Sequence, residues 1–263
     1  VAGIGIGLSG MIVVMGAVGQ VAPPERRSTA FGVVTVAFSI GMFFMAPLLQ
    51  YLINLYGWSG ALQVAGLIVL TISLLAIGLP GKSSKNGKST EHKIESELTL
   101  LKTINGALHH RGYLLLSAGF FVCGFHVAFI GTHLPSFLQS EGVSISTASW
   151  ALAMIGLFNI FGSMIFGRLG DALSKKSLLS LLYTLRSVVI AGFLAIPVNE
   201  VTAIAFGATI GFLWLATVPL TSGIVAQVFG TRYLSTLWSI VFFSHQLGGF
   251  LGVWLGGRVY DET

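Results

Sequence analysis

The chain has 263 residues, 54% of them hydrophobic and only 9% charged, with a formal net charge of +5. Soluble domains carry about 25% charged residues, so this composition excludes a soluble globular chain, and the positive balance needs no nucleic-acid partner because Lys and Arg sit in short loops between apolar stretches. The single Cys123 excludes an internal disulfide framework, and Val1 already lies in an apolar stretch with no basic segment before it, which reads as a truncated start and not as a signal peptide.

A bilayer core about 30 Å thick needs roughly 20 apolar residues. Eight stretches qualify, at roughly 2–21, 29–53, 59–79, 113–138, 146–168, 178–197, 202–226 and 234–256. Each is predicted helical, since only helices and closed barrels satisfy the backbone in lipid and the short alternating segments of a barrel are missing. The 34 glycines suit close helix packing in lipid. Turn signals fall between spans at Pro23-Pro24, Tyr56-Gly57-Trp58, Glu141-Gly142, Gly170-Asp171, Pro197-Val198-Asn199 and Phe229-Gly230.

Between the third and fourth spans lies the polar run from Gly81 to Arg111. It holds Lys82, Lys85, Lys88, Lys93, Lys102 and Arg111, with three of the six His. Its Lys/Ser/Gly-rich beginning, Gly81 to Thr90, reads as flexible. Beyond it Ile94, Leu98, Leu101 and Leu108 fall near one helical face, as in an amphipathic helix lying on a membrane surface. A disordered loop with scattered leucines is the alternative.

Eight spans put alternate loops on opposite sides of the membrane. One side then receives Arg26, Arg27, the six basic residues of the central run, Arg168, Lys175, Lys176 and Arg232, which is 12 of 14 Lys/Arg. The other side receives Arg258, and Arg186 lies inside a span. The rule that positive loops stay inside makes the first group cytoplasmic.

The two halves also echo each other. Gly16-Ala17-Val18-Gly19-Gln20-Val21 matches Gly223-Ile224-Val225-Ala226-Gln227-Val228, each followed by a basic residue, and Phe38-Ser39 and Phe243-Ser244 follow eleven and twelve positions after Arg27 and Arg232. Such matches suggest parallel repeats of the transporter kind.

Gly167-Arg168-Leu169-Gly170-Asp171-Ala172-Leu173-Ser174-Lys175-Lys176 resembles the cytoplasmic loop motif of the major facilitator superfamily, with Ser174 in place of the usual second glycine. Asp171 is expected at the N-terminus of the following helix, where negative charge is favoured; the paired lysines would face the cytoplasm or a neighbouring carboxylate. The stretch from Arg27 through Pro47 to Gly57-Trp58 is similar to the family's fifth span. Gly248-Gly249 through Gly256-Gly257-Arg258-Val259-Tyr260-Asp261, preceded by Ser244-His245-Gln246, is similar to its eleventh and looks most like the monocarboxylate and oxalate/formate branch. A member has twelve spans, six on each side of a long loop. The resemblance therefore implies a fragment lacking about three N-terminal spans and one C-terminal span, divided into 1–80 (remainder of the N-terminal bundle), 81–111 (cytoplasmic connecting loop) and 112–263 (C-terminal bundle).

Transporters bind near the midplane, so polar groups deep in the spans are the candidate site. Arg186 is the one Lys, Arg, Asp or Glu well inside a span, about 12 Å from its cytoplasmic end, with His126 about 20 Å and His245 about 16 Å deep on two other helices. Gln246, Asn159 and Gln63 are further candidates. No carboxylate inside the eight spans neutralises Arg186. Either its counter-ion lies elsewhere or the substrate is an anion, gripped by a planar fork suited to carboxylates. The alternative is an Arg bonded to backbone carbonyls and helix ends, holding the bundle together. The histidines suit proton coupling or structural bonding between helices. His126 and His133, seven apart on one face, lack partners for a metal. Pro135, Pro197 and Pro219 allow bends.

The expected fold is all-α, a polytopic membrane bundle of the major facilitator type, in a cell membrane. The expected function is secondary transport of a small solute, a monocarboxylate-like organic anion, by alternating access, with a coupling proton as a second partner. Neither a cofactor nor a metal is expected, nor an enzyme: Gly-x-Ser-x-Gly, Walker and His/Glu metal-helix motifs are all missing. The alternatives are a carrier for a neutral or cationic compound, as in drug efflux, and a non-transporting scaffold or channel.

Overall fold

The computed structural model describes residues 11–77 and 90–262. Among these residues it holds nine α-helices and no strand: α1 Met11–Val21, α2 Arg27–Ile77, α3 Thr90–His109, α4 Arg111–Ser140, α5 Ile145–Ala172, α6 Lys175–Leu194, α7 Glu200–Leu213, α8 Thr217–Phe229 and α9 Leu234–Glu262. The expected all-α membrane bundle is observed. Pro24–Ile68, Arg111–Ser140, Ile145–Ala172, Lys175–Leu194, Glu200–Phe229 and Leu234–Val259 are each long and apolar enough to cross a membrane. Part of the first expected span, 2–21, and nearly all of the Gly81–Thr90 stretch, which the sequence reads as flexible, lie outside the described residues.

Local chemistry sets the helix ends where the turn signals stood. Ser144 accepts from Thr147 N–H at 3.1 Å to open α5, and Ser174 caps α6 in the same way. Asn199 and Thr202 form a reciprocal capping box at the start of α7, with bonds of 2.8 and 3.0 Å. At Gly57 φ is 68°, a value glycine adopts without strain, and there the long α2 turns its corner between 27–56 and 58–77.

Two expectations change. The stretch 202–226 is not one helix: Trp214-Leu215-Ala216 interrupts it, leaving α7 and α8 as half-helices. The connector does contain a helix, α3, but the part of it that packs on the protein is Ile104 and Ala107, while Leu101 and Leu108 stay exposed. That leaves an apolar strip facing outward, as a helix lying on a membrane surface requires.

With lipid outside as apolar as the protein inside, helices gain from close approach more than from exclusion of water. Gly248 and Gly252 of α9 bring its backbone against the Phe121 and Phe125 carbonyls of α4, and Gly207 and Gly211 of α7 lie against Ala151 and Ile155 of α5. At Gly162 of α5 the Phe212 carbonyl occupies the place a Cβ would take. Gly162→Ala must therefore move backbone, and we expect it to cost about 1–3 kcal/mol and lower the melting temperature of the purified protein by several degrees. Gly192→Ala on α6, with open space around it, should leave the melting temperature unchanged or raise it.

The echoed segments make reciprocal contacts. Gly16 on α1 receives the side chain of Ser235 from the start of α9, and a Cβ on Gly223 of α8 would lie 2.8 Å from Ser28 Oγ at the start of α2. Gly16 and Gly223, like Ser28 and Ser235, are 207 positions apart. The two contacts thus exchange under the internal repeat, as contacts across a two-fold axis do.

Candidate functional site

The interruption in the Glu200–Phe229 span is the centre of the site. A broken helix exposes backbone groups that lipid cannot satisfy, so side chains must. Arg186, from the middle of α6 and 1% exposed, supplies donors: its Nε donates to the Leu213 carbonyl at 3.0 Å, and one terminal nitrogen donates to the Leu213 carbonyl at 2.6 Å and to the Trp214 carbonyl. The other terminal nitrogen lies 3.2 Å from Cys123 Sγ on α4. Asn159 of α5 supplies the acceptor: its Oδ1 takes the Leu215 N–H at 2.8 Å. The Trp214 carbonyl and the Leu215 N–H belong to one trans peptide unit and point in opposite directions. Arg186 and Asn159 therefore grip the same peptide from opposite sides.

Asn159 extends this line into α2. It donates to Ser39 Oγ at 2.8 Å and accepts from Ser163 Oγ at 3.2 Å, and all three side chains are fully buried. Its polar atoms are committed to joining α2, α5 and the interruption, and it does not meet His126 or His245 in a common cluster.

Those two do converge with Arg186, through Cys123. His126 stands one turn beyond Cys123 on α4, with its Nδ1 buried and unpartnered. His245 comes from α9, where the Gly124 backbone lies directly against the His245 carbonyl, so its ring reaches the thiol. The ring stacks on Phe242 at 5.3 Å and lies tilted against Phe120 at 4.8 Å, and Nδ1 lies 3.3 Å from Gln246 Oε1. An amide oxygen only accepts, so Nδ1 is the donor in this contact, and the buried Nε2 has no partner. Thr217, at the start of α8, completes the group 3.4 Å from Cys123 Sγ. Gln246 is otherwise exposed, as is Gln63. His133 turns away to the Val253 carbonyl, 3.2 Å distant.

Residues from Gly167 to Lys176 form a second locus, and here an expectation is corrected. Asp171 does not serve the helix that follows it; Ser174 caps that helix. Its carboxylate instead accepts from the Ser28 and Thr29 N–H groups at 2.8 and 2.9 Å, capping α2 some 143 positions away. The last turn of α5 runs past the start of α2, because Gly167 admits Ser28 and Gly170 admits Leu220, and the carboxylate meets the positive end of the α2 dipole. Lys175 lays its alkyl chain against Gly223 of α8, and Lys176 is exposed. Asp171→Ala should cost about 1–2 kcal/mol, as loss of a charged cap does. Hydrogen exchange at Ser28 and Thr29 should then quicken by roughly ten-fold; an unchanged rate would mean that the carboxylate does not hold this helix end.

The family model of the Major Facilitator Superfamily matches residues 1–253. The chain belongs to this superfamily. Among curated relatives, the uncharacterized MFS-type transporter YcxA of Bacillus subtilis (strain 168) is 25% identical over 245 residues, covering 90% of this chain and 59% of the relative. Monocarboxylate transporter 12 of Mus musculus is 25% identical over 269 residues (91% and 55%), and monocarboxylate transporter 13 of Rattus norvegicus 29% identical over 249 residues (91% and 54%). The chain thus spans a little over half the length of these major facilitator proteins.

Cys123, Thr217 and Ser39 were not among the site residues expected from the sequence. A signal for Cys123 existed, because it lies one helical turn from His126 on the same face. No signal pointed from Ser39 to Asn159.

Proposed function

We propose that the protein is a secondary carrier that moves a small organic anion across a cell membrane by alternating access. One observation carries this reading: Arg186 is buried mid-span with backbone carbonyls and a thiol as its partners. Carbonyl dipoles lower the cost of the charge but do not neutralise it, so a negative solute entering here gains what no carboxylate among the described residues supplies. His126 and His245, with unpartnered nitrogens on the same cluster, are the groups suited to carry a coupling proton. Two relatives bear the name monocarboxylate transporter, which agrees with a carboxylate as the anion.

In this reading 1–80 and 112–263 belong to two bundles joined by 81–111, and the loops bearing Arg26, Lys175 and Arg232 with the connector are cytoplasmic. The reciprocal glycine contacts and the Asp171 cap both lie near these basic loops. They hold the two bundles together on that side, and rocking about the cluster would break them to open it.

A second reading has one observation in its favour: most Arg186 donors are already occupied by Leu213 and Trp214. Arg186 would then fasten the interrupted span, and the solute would be neutral or cationic. Uptake by the full-length protein in vesicles separates the two. Saturable uptake of a small labelled monocarboxylate, accelerated by unlabelled carboxylate inside, is expected. Uptake of a cationic compound that no carboxylate inhibits would favour the second reading, and unsaturable flux would favour a channel.

A further inference from the structure

A cavity of about 450 Å³ lies between α4, α6 and α8. It starts at His110, Lys176 and Phe229 and runs inward along apolar walls to Gly119, Tyr183 and Thr221. Each of these three inner residues lies about one helical turn from a member of the buried cluster: Gly119 from Cys123, Tyr183 from Arg186, and Thr221 from Thr217. The cavity therefore ends directly beneath the cluster. Tyr183 separates the two. Its hydroxyl donates to the Gly119 carbonyl at 2.9 Å, and its ring lies 5.6 Å from the Arg186 guanidinium carbon.

Behind that ring the thiol has the surroundings of a nucleophile. Cys123 is fully buried, Arg186 donates to its sulfur at 3.2 Å, and Thr217 Oγ1 lies 3.4 Å away. The guanidinium and the hydroxyl are placed to stabilise negative charge that develops at the sulfur as it attacks. His245, 8% exposed, offers an unpartnered Nε2 lone pair as base.

We propose that Cys123 is a reactive thiol behind a Tyr183 gate, reached through this cavity and selective for small, negatively charged electrophiles at sulfur, such as anionic thiosulfonates or disulfides. The thiol proton passes to His245 Nε2 and Cys123 Sγ attacks the electrophilic sulfur. One S–S bond forms as the reagent's own breaks, and the displaced sulfinate or thiolate leaves with the electron pair. Arg186 attracts the anion and repels a cation, and Lys176 at the mouth acts in the same sense. The proposal concerns labelling and not uptake, so it stands or falls separately from the identity of the transported solute.

The full-length protein in membrane vesicles is treated with sulfonatoethyl methanethiosulfonate or its trimethylammonium counterpart, and modification of the Cys123 peptide is followed by mass spectrometry. Rates are normalised to each reagent's reaction with a free thiol. The anionic reagent should be faster by roughly ten-fold or more, and Tyr183→Phe, which removes the latch to Gly119, should speed it several-fold further. Equal rates, or faster reaction of the cation, would overturn the charge selectivity. An unchanged rate in Tyr183→Phe would overturn the gate, and no modification of Cys123 in either protein would overturn the site.

Discussion

Replacing Arg186 with Gln is expected to abolish carboxylate uptake and to destabilise the interrupted span by about 2–5 kcal/mol. The energetic part follows from the donors: Gln is shorter and has one amide group, so it cannot satisfy the Leu213 and Trp214 carbonyls together. A buried acceptor left unpaired costs about 1–3 kcal/mol. Helix propensity is not at issue, since Arg, Lys and Gln are similar formers. Arg186→Lys separates charge from geometry. It keeps the cation but loses the planar fork, so it should be destabilised nearly as much as Gln while retaining part of the carboxylate uptake. Uptake and thermal stability are measured on the same preparations. If Lys and Gln fall together in uptake, in proportion to the folded fraction, Arg186 is a fastener and the anion proposal fails. A stable Arg186→Gln protein with normal uptake would remove both roles.

Asn159→Leu should be nearly as damaging, by about 2–4 kcal/mol. Leu has a similar volume, so the loss is polar: the Leu215 N–H and the Ser163 hydroxyl lose their acceptor inside a dry interface, while the Ser39 hydroxyl loses a donor and keeps its bond to the Thr35 carbonyl. Because Asn159 and Arg186 hold opposite ends of one peptide, the effects should not add. Once Arg186 is gone and the interruption relaxes, Asn159 has less left to stabilise, so the double variant should fall short of the sum by about 1 kcal/mol or more. Additive losses in denaturation of the single and double variants would show that the two ends are held independently.

Much of this protein is legible in one dimension. Hydropathy and span length identify a helical membrane protein, and the Gly167–Lys176 motif with the flanking spans resembles the superfamily that the family match then shows. The turn at Pro197-Val198-Asn199 was readable because capping is local: donor and acceptor are two or three residues apart. The helical positions of Arg186, His126 and His245, each well inside its helix, were readable too, because an uninterrupted apolar stretch fixes them.

What the sequence by itself determined is therefore what depends on neighbours along the chain: which segments are long and apolar, where helices start, and which polar groups fall inside them. The tertiary structure alone decided which groups meet. It placed Asp171 on α2 rather than on the helix that follows, broke the seventh expected span at Trp214, met Arg186 with carbonyls instead of an acid, and put Cys123 at the centre of the site. The physical reason is that these partners lie 27 to 143 positions apart, and hydropathy carries no record of which face of one helix looks at another. Only the packing of glycine-lined helices brings such groups within 3 Å of each other.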